Sequence, residues 1–75
     1  MNGHTFPTDL LEAQTAWYVT YRQLATAAPG AGAAHRRRLL RLSRLITSHP
    51  YWQTSAGTPA ARMALKELAR ESACP

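Results

Sequence analysis

Apolar side chains recur along this chain with the period of an α-helix in three separate segments. At about 100° of rotation per residue, Leu10, Ala13, Trp17, Tyr21, Leu24 and Ala28 share one stripe, flanked by Tyr18 and Ala25, while Glu12, Thr15, Arg22 and Gln23 lie opposite. This predicts an amphipathic first helix over about residues 8–27 with an aromatic-rich inner face. It begins behind Pro7, where Thr8 or Asp9 can cap free amides and Asp9 and Glu12 complement the positive end of the helix dipole. The stretch APGAGAA, residues 28–34, ends it, because Pro29, Gly30 and Gly32 oppose helix continuation by steric restriction and by chain entropy. A connection this short folds the flanking helices back on each other as an antiparallel hairpin.

In HRRRLLRLSRLITSH, Leu39, Leu42 and Ile46 share a face with Leu45 at its edge, and Arg37, Arg41 and Arg44 lie opposite. The second helix is expected over about residues 34–48, because Pro50 lacks an amide hydrogen and disfavours helical geometry at His49. The third is expected over about residues 59–72, with Thr58 as its cap and Pro59 in the first helical position. Its inner stripe is Ala61, Leu65, Leu68 and Ser72, with Ala64 and Ala69 alongside and Glu67 and Glu71 facing out. No window alternates apolar and polar residues in the manner of a strand, and no internal repeat is present. The expected fold is all-α: a single domain over residues 1–75, in which a helical hairpin carries a third helix packed across it.

Length makes this core small. A chain of 75 residues buries only about 60% of the surface its unfolded form exposes, and much of its 45% apolar content is Ala. The third helix brings mainly Ala and Leu, so the three stripes leave a gap where the second helix stops. Tyr51 and Trp52, directly after the His49-Pro50 break, are the rings available to fill it, each with its polar tip toward water or a carbonyl. The alternative is that they are presented to a protein partner, with Met63 on the outer face of the third helix completing an adaptable apolar patch.

Charge changes the picture further. The net charge is +5. Residues 1–30 hold Arg22 against Asp9 and Glu12, whereas residues 31–75 hold eight basic residues against Glu67 and Glu71. Arg37, Arg41 and Arg44 form one stripe on the second helix, and Arg62, Lys66 and Arg70 form another, four residues apart, on the third. Side by side, these stripes would merge into one basic surface suited to phosphates or carboxylates. The alternative is a solvated outer face. A helix-turn-helix reader of DNA fits poorly, because the Arg-rich helix and the next are separated by a longer connection than that motif's three- or four-residue turn.

Candidate chemistry is sparse. His4, His35 and His49 are far apart and none has a second ligand at helical metal-site spacing; the lone Cys74 forms neither an intramolecular disulfide nor a cysteine-rich zinc site. His49, at the end of the second helix, is placed to meet its dipole. The glycines of PGAGAA follow no strand and precede no Lys-Ser/Thr pair, so they are not a phosphate loop. With no nucleophile elbow and no acid paired with a histidine, the chain is read as non-enzymatic, without cofactor or metal. No apolar run reaches the roughly 20 residues of a membrane span, and Met1 is followed by a polar segment rather than a signal-peptide core, which points to the cytoplasm.

FPTDLLEAQ, HPYW and PAARMALKELAR together resemble a group of small uncharacterised helical proteins of high-GC bacteria. The resemblance spans most of the chain and implies a single domain, without adding an activity or a site residue. The leading expectation is a small basic accessory or regulatory protein that holds nucleic acid mainly through phosphates, using Arg37, Arg41 and Arg44 with Arg62, Lys66 and Arg70. The other is a protein-interaction module or homodimer anchored by Tyr51, Trp52 and Met63. Peripheral binding to an anionic membrane is weaker, since the apolar face of the second helix lacks aromatic residues.

Overall fold

The structure is a computed structural model that describes residues 5–73. Three helices, α1 (Thr8–Thr26), α2 (Gly32–Thr47) and α3 (Pro59–Ala73), are joined by a tight turn and by a connection containing one 3-10 turn, Pro50–Gln53. There is no strand among the described residues. α1 is the shared element: it packs along both α2 and α3, which have no comparable interface with each other. The radius of gyration, 13.3 Å, exceeds the roughly 11 Å of a compact chain of this length. The molecule is a splayed three-helix assembly with α1 as its spine.

Local chemistry explains the boundaries. α1 starts with the Leu11 amide donating to the Pro7 carbonyl. Neither Thr8 nor Asp9 occupies the cap position, which is Pro7; the Asp9 carboxylate instead accepts from the Leu10 amide at 2.9 Å within the first turn. After α1, the Ala31 amide donates to the Ala28 carbonyl at 3.0 Å, closing a four-residue turn with Pro29 second and Gly30 third. Gly30 has φ +87°, the left-handed conformation that a type II turn requires at that place and that glycine adopts without strain. α2 begins at Gly32, two residues before the expected start, and ends at Thr47. α3 opens as the sequence indicates, with the Thr58 hydroxyl accepting from the Ala61 amide at 3.1 Å.

The core takes one large aliphatic side chain from each helix: Leu10, Ile46 and Leu65. Leu10 and Leu65 are each 1% exposed. Because α1 has neighbours on two sides, it also buries Gln14 and Thr20, polar positions that a single apolar stripe does not mark. Arg38 of α2 covers Thr20, its Nε donating to the hydroxyl at 3.1 Å. Conversely, Tyr21, expected on the inner stripe, is 55% exposed, and Ala28 and Ser72 are exposed as well. Ala28 belongs to the turn that follows α1.

The 3-10 turn leaves no mark in the helical periodicity, and it settles the place of the aromatic pair. His49 caps it, its Nδ1 accepting from the Tyr51 amide at 3.0 Å. Tyr51 and Trp52 are half-buried against the Leu10–Ile46–Leu65 cluster, together with Phe6. The Trp52 indole N–H donates to the Ile46 carbonyl at 2.6 Å, a carbonyl that otherwise accepts the longer bond, 3.4 Å, from the His49 amide because Pro50 has no amide hydrogen to complete the helical pattern. Tyr51 meets Trp52 edge-on at 5.2 Å and Phe6 at 5.5 Å. These rings plug the end of the core.

Gly57 lets the chain turn out of this plug. A Cβ there would lie 2.6 Å from the Trp52 Cα and 2.7 Å from the Tyr51 carbonyl oxygen, both backbone atoms. Gly57→Ala should therefore lower stability by about 1–3 kcal/mol, read as the urea midpoint; an unchanged midpoint would show that the connection is not packed in this way.

His49 also ties the connection to α1, its Nε2 standing 3.1 Å from the Asp9 carboxylate. With Nδ1 accepting from the Tyr51 amide, the ring carries its proton on Nε2 and donates it to Asp9. The hydrogen bond that its carboxylate accepts from His49 is the main cause holding the Asp9 carboxyl below its ordinary range. A depressed carboxylate stabilises the fold above its unfolded pKa of about 3.9 and loses that contribution as pH falls through the lower folded value. Asp9 is solvent-exposed, so water screens the effect. Urea unfolding followed down to about pH 2.5 should show a steeper acid decline for the native chain than for Asp9→Asn; superimposable declines would mean that the hydrogen bond does not persist in solution.

Candidate functional site

Because α2 and α3 both lie on α1 but not on each other, an open groove of about 260 Å³ runs between them. Gln14, Trp17 and Tyr18 of α1 form its floor. Ser43 and Thr47 of α2 line one bank, and Arg62 and Lys66 of α3 line the other. The floor is held rigidly: the Trp17 indole donates to the Ser43 hydroxyl at 2.9 Å, and Tyr18 meets the Trp17 ring edge-on at 5.3 Å. One helical turn further along α1, Tyr21 lies parallel to Trp17, with centroids 5.4 Å apart and planes 9° from parallel.

The α3 bank is the basic one. Arg62, Lys66 and Arg70 recur every four residues beside the buried stripe of Ala61, Leu65 and Ala69. The Arg62 guanidinium lies over the Trp52 ring, 4.5 Å from its centroid, and that of Arg70 lies 5.6 Å from the centroid of Tyr18. Such contacts orient a guanidinium while leaving its hydrogen-bonding edges free for an anion. Lys66 stands between them on the groove wall.

The Arg37, Arg41 and Arg44 stripe is exposed but does not join this bank. The groove-facing stripe of α2 follows Ser43 and Thr47 and, by its spacing, includes Arg36 and Leu40. Arg41 is two residues, or about 200°, from Ser43 around the helix axis. None of the three arginines lines the groove, so the two basic stripes are not joined across it. The apolar candidates are divided as well. Tyr51 and Trp52 are half-buried, and Arg62 covers a face of Trp52, whereas Met63 is 66% exposed. Trp52 therefore does not offer a bare ring beside Met63.

Two members of this site escape a reading based on an inward stripe. Tyr21 falls on the core stripe by its spacing, yet it is exposed, stacked on the Trp17 ring of the groove floor. Ser43 is a short polar residue whose role emerges only when Trp17 is brought against it. His4 and Cys74 lie outside the described residues. Among the described residues no group of three or more His, Cys, Asp or Glu side chains comes together to hold a metal ion, and no helix is long and apolar enough to cross a membrane.

A family model for a domain of unknown function, DUF8825, matches residues 9–68. The match takes in most of the chain, including α1, the turn, α2, the aromatic plug and the first part of α3. The chain belongs to the DUF8825 family. No curated protein and no solved structure matches it.

Proposed function

We propose that this chain is a small, basic, non-enzymatic accessory or regulatory protein of the cytoplasm that binds nucleic acid through its phosphates. One observation carries the reading: among the described residues, the one close contact between a basic and an acidic side chain is His49–Asp9, and no Arg or Lys is neutralised by a carboxylate. Arg36, Arg37, Arg41 and Arg44 stand exposed on α2, and Arg62, Lys66 and Arg70 stand exposed on α3. Guanidinium forks arrayed in this way favour phosphate oxygens, and a field of uncompensated positive charge draws a polyanion. Phosphate contacts carry no sequence information, so binding is expected to be general rather than site-specific.

A second reading rests on exposed apolar side chains, Leu40, Leu45 and Met63. It makes the chain a protein-interaction module or homodimer, with arginines at the rim of the contact.

Fluorescence anisotropy with labelled oligonucleotides across a salt series separates the two. Replacing Arg37, Arg41 and Arg44 together by Gln should leave helix content intact, because these residues face solvent and Gln keeps good helix propensity. Affinity should fall for every sequence, and the slope of log affinity against log salt should shrink by roughly 0.9 for each duplex phosphate that no longer meets a cation. Failure of the native chain to bind nucleic acid at low salt would overturn the proposal.

A further inference from the structure

We infer that the groove between α2 and α3 takes single-stranded nucleic acid, with a base stacking on Tyr21 and phosphates meeting Lys66 and Arg70; this deepens and rests on the nucleic-acid reading. Tyr21 is a large ring left 55% exposed on α1, next to the half-buried Trp17 and Tyr18. It is not free to wander. Its ring lies parallel to Trp17, and Trp17 is fixed in turn by its hydrogen bond to Ser43. A base laid on the open side of Tyr21 would extend an existing stack, with little ordering cost at the ring.

The cations are where such a strand would bring its phosphates. Arg62, Lys66 and Arg70 follow one bank with a rise of about 6 Å per four residues, the scale of successive phosphates along a stretched strand. Arg70, held against Tyr18, is the cation of this bank that contacts the aromatic floor beside Tyr21. Exposed aromatic rings alternating with cations along a groove are the means by which single strands are bound without sequence preference. A duplex cannot use this arrangement, since its base faces are already stacked on one another. The Arg37, Arg41 and Arg44 stripe lies outside the groove and is open to either form.

The test compares a labelled 12-nucleotide oligo(dT) with a mixed-sequence 12-base-pair duplex at low salt, using the whole chain. The native protein should prefer the single strand. Tyr21→Ala should weaken single-strand binding by about 5- to 100-fold, leave duplex binding within about twofold, and leave the helical circular dichroism unchanged. Tyr21→Phe, which keeps the ring, should retain most of the affinity, so that a folding defect in the Ala variant would not obscure the result. Equal affinity for both forms, or a Phe variant as weak as the Ala variant, would overturn this inference and leave the phosphate reading standing. No binding to either form would overturn both.

Discussion

The burial of Leu10 between Ile46 and Leu65 is the contact on which the rest of this structure depends. Each helix contributes one large aliphatic side chain to that cluster, and fully burying such a side chain is worth roughly 1.5–3 kcal/mol. Three residues are too few to hold three helices against the loss of chain entropy. The core is completed by rings from outside the main helices, Phe6, Tyr51 and Trp52, the last two brought to it by the 3-10 turn. Trp52 serves twice, adding apolar area and donating its indole N–H to the Ile46 carbonyl. The His49 cap and Gly57 therefore matter more than their position in a connecting segment suggests.

The same scarcity shapes the surface. There is enough apolar side chain to fix α2 and α3 on α1, but not to join α2 to α3. What lies between them is a groove with an aromatic floor and a cationic bank. With few carboxylates to neutralise it, the positive charge of α2 and α3 faces outward, and this is the physical ground for proposing an anionic polymer as the partner.

The helices are legible in the sequence because their signals are local. Pro-Gly at the first turn, Pro50 after α2 and Thr58-Pro59 before α3 act within a few residues of themselves, and Leu10, Leu42, Ile46 and Leu65 lie on stripes of 3.6-residue period. The packing of α1 on two neighbours is not legible there. A helix sandwiched in this way buries a wide arc, so Gln14 and Thr20 are covered while Tyr21 escapes. The Arg stripes are each readable on their own helix, but their relation depends on the angle between α2 and α3, which periodicity does not encode. The sequence leaves HPYW open between a plug and a presented surface, and the outcome turns on a hydrogen bond to Ile46 that only the folded chain reveals.

That the basic, aromatic-floored groove is the face this protein turns to its partner is tested most directly by backbone amide chemical-shift mapping by NMR, during titration with a short single-stranded oligonucleotide. The largest shifts should fall on Tyr18, Tyr21, Ser43, Lys66 and Arg70, while Glu12, Val19 and Gln23, which line a separate cavity on the other side of α1, stay in place. Shifts concentrated on Glu12, Val19 and Gln23, or none at any oligonucleotide concentration, would contradict it.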